Sequence, residues 1–200
     1  MFDSGIKVSD LINQIRDEAD IAYPISDECY LIWLNALEQL LYTEIIQEQG
    51  KIELTGNVGS VIAIDTLTVP EGESAVRFED IHAVYADSTQ LIKSTVASGV
   101  LFTNTYYKMG NNIGINLIKE PEKIKIIYFV KPELKTIATY RSKNIMVPIE
   151  FIDLVKAKLR GEAYKLANED SIAAKWLNDY NVLLETFNAW HSSKQAEFGI

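Results

Sequence analysis

The chain has 200 residues, of which 48% are apolar and 24% charged, and it carries a formal net charge of −9. Such a composition predicts a folded chain rather than a disordered one. The acidic balance argues against a duplex-reading protein, whose affinity rests on a basic face against phosphate.

The opening "MFDSGIKVSD" has no basic n-region and no apolar core, so it is not read as a signal peptide. "KVSDLINQIRDEADIA" then places Val8, Leu11, Ile12, Ile15, Ala19 and Ala22 on one helical face, with Ser9 as the expected N-cap. Pro24 interrupts it, because the residue before a proline avoids helical geometry. A second helix is predicted from Ser26 or Asp27, with a broad stripe of Tyr30, Trp33, Leu34, Leu37, Leu40, Leu41 and Ile45. Gly50 is its expected stop. Cys29 lies within this helix. As the single cysteine it excludes an internal disulfide, and it reads as a small half-buried apolar residue.

From residue 51 the pattern changes. "KIELTG", "SVIAIDTLTV", "IHAVYAD", "TQLIKST", "TYYKMG", "NIGINLI" and "KIKIIYFV" are short and rich in Ile, Val, Thr and Tyr. Turn chemistry separates them, and Gly110-Asn111-Asn112 reads as a hairpin loop. No helical pattern intervenes between the strands, so antiparallel pairing is expected. The longest strongly apolar run, "IIYFV", has five residues, against about 20 for a membrane helix. The chain is therefore expected to be made and folded in the cytoplasm, with no membrane partner.

"KPELKTIATYRSKNIMV" (131–147) reads as an exposed basic connector, and Pro148 as the N1 residue of a further helix. Ile152, Val155, Leu159, Ala163 and Leu166 line that helix. "ANED" ends it, and Asp170 or Ser171 caps the last helix, lined by Ile172, Trp176, Tyr180, Leu183, Phe187 and Trp190. After Trp190 the apolar period is lost, and "HSSKQAEFGI" is expected to fray. The expected fold class is thus α+β. Helix pairs 1–50 and 145–190 form one helical bundle, 51–144 is an inserted antiparallel β module, and 191–200 is a flexible tail.

Site chemistry is sparse. His82 and His191 have no carboxylate or cysteine at ligand spacing, so no zinc site is predicted. No G-x-S-x-G elbow occurs, and "GNVGS" (56–60) lacks the Lys-Ser/Thr of a phosphate loop. "KAKLR" (156–160) reads as the solvated side of a helix rather than a phosphate contact. No catalytic, cofactor-binding or metal site is assigned, and the chain is not expected to be an enzyme. Trp33, Trp176 and Trp190 sit on apolar stripes, as core or interface residues. Trp190, beside the loose tail, is a candidate partner anchor.

Two stretches carry a resemblance. "VSDLINQIRDEAD" followed by "ISDECYLIWLNALEQLLYTEI", with its Asn35-Ala36 pair, is similar to the start of head-to-tail adaptor (connector) proteins of tailed bacteriophages. "VPIEFIDLVKAKLRGEAYKLANEDSIAAKWLNDYNVLLETFNAW" resembles that family's closing helix hairpin, with Ala163-Tyr164 late in its first helix and Phe187 near its end. The resemblance implies a virion structural protein at the head-tail junction, forming a dodecameric ring that binds a portal protein above and tail components below. It implies no cofactor and no catalytic residue. Genomic DNA would pass through the ring lumen during ejection without specific binding. In related adaptors a C-terminal arm reaches into the portal. That role would fall here to the apolar residues of the tail, Phe198 and Ile200. Two other readings fit the same residues: a cytoplasmic hydrolase with its site in the β module, or a protein-interaction module outside any virion.

Overall fold

The computed structural model describes residues 1–21, 24–55, 60–95 and 102–198. It divides into two compact units, Met1–Ile46 with Leu134–Ile200, and Gln47–Glu133.

The first unit is helical. Helix α1 (Val8–Glu18) buries Val8, Leu11, Ile12 and Ile15 of the face that periodicity predicts, while Ala19 follows the helix end half-buried and Ala22 lies outside the described residues. Its cap differs from expectation. The helix starts one residue before Ser9, with Lys7 at the N-cap and no side-chain cap bond. The Val8 amide instead donates to the Lys143 carbonyl at 3.1 Å, beside a bridge between Lys7 and Asn144. An orphan helix donor is satisfied by a segment distant in the sequence, which no local signal announces. Helix α2 (Asp27–Leu40) starts as predicted, with the Ser26 hydroxyl accepting from the Cys29 amide. It widens into a π-helical turn at Leu41–Ile46 and ends there, with Gln47 at φ 48°. Gly50 is not its stop. Gly50 lies in the following strand, where a Cβ would fall 2.3 Å from the Tyr128 ring.

Pro148 precedes a short 3-10 turn (Ile149–Phe151) that leads into helix α3 (Ile152–Leu166). The chain then reverses through Asn168 at φ 60°, and the Glu169 amide donates back to the Tyr164 carbonyl. Asparagine tolerates this left-handed C-cap geometry. Helix α4 (Asp170–Phe198) follows, so the helical backbone continues past Trp190. Gly161 lets α4 approach closely, since a Cβ there would meet the Leu177 side chain at 2.7 Å.

The second unit is a seven-stranded sheet of β1 (Gln49–Thr55), β2 (Val61–Ala63), β3 (Ile81–Ala86), β4 (Thr89–Ser94), β5 (Thr105–Met109), β6 (Asn112–Asn116) and β7 (Lys123–Phe129). Its order is β1-β7-β3-β4-β5-β6-β2. This corrects the α+β expectation of a helical bundle carrying an inserted antiparallel β module. The chain is centred on a curled, half-barrel mixed sheet, with helices toward both ends of the sequence. The sheet is mixed because β4 and β5 run parallel, joined through 95–104. Parallel neighbours usually need a longer crossover, commonly a helix, and the missing helical pattern therefore misled the reading.

The curl follows from chain length. β1 and β2 lie at opposite edges, yet only residues 56–60 separate them. Six extended residue steps reach about 20 Å. A flat sheet would hold its edges six strand gaps apart, about 29 Å. The tether fits only if the sheet bends its edges toward each other. Local turns match their chemistry: Asp87 at φ 53° joins β3 to β4, and Gly110 at φ 62° joins β5 to β6. Along β7, Ile124, Ile126 and Tyr128 are buried, and Lys123, Lys125, Ile127 and Phe129 are half-buried on the other face.

Candidate functional site

The aromatic end of α4 is built from side chains distant in sequence. The Trp190 ring lies 5.1 Å from Phe151, 5.9 Å from Phe187 and 6.0 Å from Phe2. Phe187 is fully buried, and Trp190 is half-buried at the margin of the cluster. His191 is buried beside it, and burial pulls its pKa below the ordinary value. Trp190 thus has an intramolecular role and still presents part of its ring to solvent. Phe198 is the last residue of α4, and its side chain lies outside the described residues, as does Ile200 altogether. The structure therefore brings Trp190, alone among the three candidate partner residues, into a described cluster.

Farther along the α3–α4 hairpin the buried positions of α4 are narrow. Ala173, Tyr180 and Phe187 recur every seventh residue and face inward. Beside that seam Ile172 and Val182 are exposed, and Trp176 and Leu183 are half-buried. Asp153, Lys156, Ala157 and Arg160 of α3 face Trp176, Asp179, Val182 and Leu183 of α4 across an open groove of about 520 Å³. The "KAKLR" side chains are largely committed here. Arg160 stacks 4.7 Å over Trp176 and forms an ion pair with Glu18. Lys158 bonds Glu162 at 2.7 Å and covers the Tyr180 ring at 5.1 Å. Apolar floor, charged rim and openness are features of a protein-docking groove.

The basic window at 131–144 is only in part the exposed connector that its composition suggests: Arg141 is exposed, but Lys131 is half-buried and Lys135 buried. Lys131 is paired with Asp80 in the β unit. Lys135 is 4% exposed and paired with Glu38, itself 1% exposed. Asn35 clamps the same residue through both its amide atoms, donating to the Lys135 carbonyl and accepting from its amide at 2.9 Å. Glu38 also accepts from the Met146 amide at 2.8 Å. Burial raises the Glu38 pKa, and Lys135 and the Met146 amide oppose that rise. One signal pointed this way: Glu38 follows Leu37 and sits four residues after Leu34, on the apolar stripe.

For reactive chemistry the placements are plain. His82 packs 5.1 Å from Phe129 in the β unit, whereas His191 belongs to the helical unit. Among the described residues no three His, Cys, Asp or Glu side chains gather as a metal-holding group. One cleft of the β unit, about 250 Å³, presents Ser60, Asn116, Lys119 and Glu120 and contains no histidine. "GNVGS" falls at 56–60, and only Ser60 of it lies within the described residues. No described helix is long and apolar enough to cross a membrane. Compared with known proteins, the sequence matches no family model and no curated protein.

Proposed function

We propose that the chain is a structural subunit of a tailed-phage head-to-tail adaptor ring, binding a portal protein on one side and tail components on the other. The observation that carries this reading is the open flank of α4. A 29-residue helix spans about 43 Å. Its inward seam uses every seventh position, and the neighbouring apolar positions stay open along the groove with α3. A helix hairpin with one face in its own core and another free suits subunit packing. The two stretches that resemble adaptor proteins coincide with α1–α2 and with α3–α4, and they belong to one unit. In this role the protein acts through contact rather than reaction. It occupies the head-tail junction in about twelve copies, a number the resemblance alone supplies, and lets DNA pass without binding it specifically.

Mass spectrometry of purified virions tests the reading directly. The protein should appear at a stoichiometry fixed to the portal, and its absence from virions would refute the proposal. Portal docking by a chain truncated after Ser192 tests the tail. That variant keeps Trp190 and His191, so its stability should change by less than about 0.5 kcal/mol. Loss of docking would assign the portal contact to the arm ending in Phe198 and Ile200. Normal docking would move the contact to the α3–α4 hairpin.

A further inference from the structure

We infer that the outer face of the β1–β7–β3 sheet docks on the exposed acidic side of α1 in a second copy of the chain. β7 lies between β1 and β3, and Lys123 and Lys125 stand on the face opposite the buried Ile124 and Ile126. The register sets Lys51 beside Ile127, and Tyr85 beside Lys125. The Lys125 ammonium lies 4.3 Å from the Tyr85 ring centre. Glu53 is the one carboxylate among these residues, 3.1 Å from Lys51 and 2.7 Å from Lys123. Three lysines around one glutamate leave this face positive in a chain whose formal charge is −9. Half-buried Ile127 and Phe129 supply apolar ground between the cations.

The matching surface is on α1. Asp10, Asn13, Gln14 and Asp17 form its exposed side, and exposed Asp20 follows the helix end. The nearby cations are turned elsewhere: Arg16 pairs with Asp27, and Lys7 donates to the Ser142 carbonyl. Among the described residues Asp10, Asp17 and Asp20 form no ion pair. The dimensions also agree. The Cα positions of Lys51 and Lys123 are four register positions apart, about 13 Å along the strands, and their ammonium groups both reach Glu53 between them. Asp10 and Asp17 are seven helical residues apart, about 10 Å. A helix laid along β7 therefore sets carboxylates within reach of the lysines.

The two patches differ, so the contact is heterologous, and it closes into a ring where the rotation between copies divides a full circle. Exposed ion pairs contribute about 0–1 kcal/mol each and are screened by salt. Free chains are thus expected to associate weakly, and only at low ionic strength. The inference rests on charge and register alone and stands whether or not a portal is the partner.

Sedimentation equilibrium of the full chain over a wide concentration range, at low and high ionic strength, is the test. The variants are Lys123→Glu with Lys125→Glu, and Asp10→Lys with Asp17→Lys. Each double variant should weaken self-association about tenfold or more, and an equimolar mixture of the two should restore it. Melting temperatures report folding, and Lys123→Gln with Lys125→Gln replaces the first pair if reversal beside Tyr85 unfolds the sheet. Association that ignores both salt and charge reversal would overturn the inference. So would a mixture that fails to recover, or no association at any concentration. Retention of an oligonucleotide by the wild type, lost in the Lys123 and Lys125 variant while self-association persists, would make nucleic acid the occupant instead.

Discussion

Replacing Lys135 with methionine tests the buried pair on which α2 and the 134–147 segment meet. The substitution keeps the aliphatic stem and removes the charge, so Glu38 loses its counter-ion while it remains 1% exposed. Breaking a buried pair from one side costs about 3–5 kcal/mol. For a chain of this size that lowers Tm by roughly 10 °C. The cost depends on pH, with a sign set by Glu38. Its folded-state pKa is raised, chiefly by burial, and loss of Lys135 raises it further. The folded state then holds a proton that the unfolded state releases, so stability falls as pH rises from about 4.5, by at most about 1.4 kcal/mol per pH unit. The variant should therefore lie closer to wild type at pH 5 than at pH 8. Adding Glu38→Gln should recover most of the loss, because a glutamine oxygen still accepts from the Met146 amide and no charge stays buried. All three tryptophans, Trp33, Trp176 and Trp190, lie in the helical unit, so urea denaturation followed by tryptophan fluorescence reports this unit directly. A loss under about 1 kcal/mol at pH 8, or one equal at both pH values, would refute the reasoning.

Three further outcomes are expected. Gly50→Ala drives a methyl into the Tyr128 ring and displaces its hydroxyl from Glu73, costing about 1–3 kcal/mol; hydrogen exchange across β1 and β7 should rise. Asp80 is 6% exposed, and although burial opposes ionisation, Lys131 and Arg77 hold its pKa below the ordinary value. Its stabilisation is present above the unfolded pKa and lost as pH falls through the lowered folded-state pKa, so Asp80→Asn should cost about 1–3 kcal/mol at pH 7, with the gap closing at the acid end of an acid-denaturation series. Trp190→Ala should cost about 2 kcal/mol by opening the cluster with Phe2, Phe151 and Phe187, and thermal melts that match wild type would show the ring to be idle in the fold.

Helix faces were legible in the sequence because burial repeats with the helical period. Val8, Leu11, Ile12 and Ile15 are buried together, and Ser26 caps α2 through a bond spanning three residues. Tight turns at Asp87 and Gly110 were legible for the same reason: their constraint is local backbone geometry. Strand order was not. Alternation tells which face of β7 is buried but not that β1 and β3 are its neighbours, nor that β4 pairs parallel to β5. Lys135 escaped because its partner lies 97 residues away and its own neighbours are polar. Of the candidate site, Trp190 was found by its place on the stripe. The α3–α4 groove, lined from both helices, has no signature in either helix alone.

The long reach of Glu38 also sets a timetable for the nascent chain. The N-terminal helices leave the ribosome long before residue 135, and β1 emerges well ahead of β7, the strand it pairs with. At about 5–20 residues per second, the interval between Ile46 and Lys135 lasts roughly 5–20 s. Through that time Glu38 stays hydrated, and α2 cannot close over the apolar stripe around it. Neither unit can finish until the middle of the chain has been made, so both depend on contacts distant in sequence, the slow regime for folding. A ribosome stalled just before Lys135 should hold a chain whose first helices remain open to protease. One stalled after α4 has emerged should hold the same helices protected.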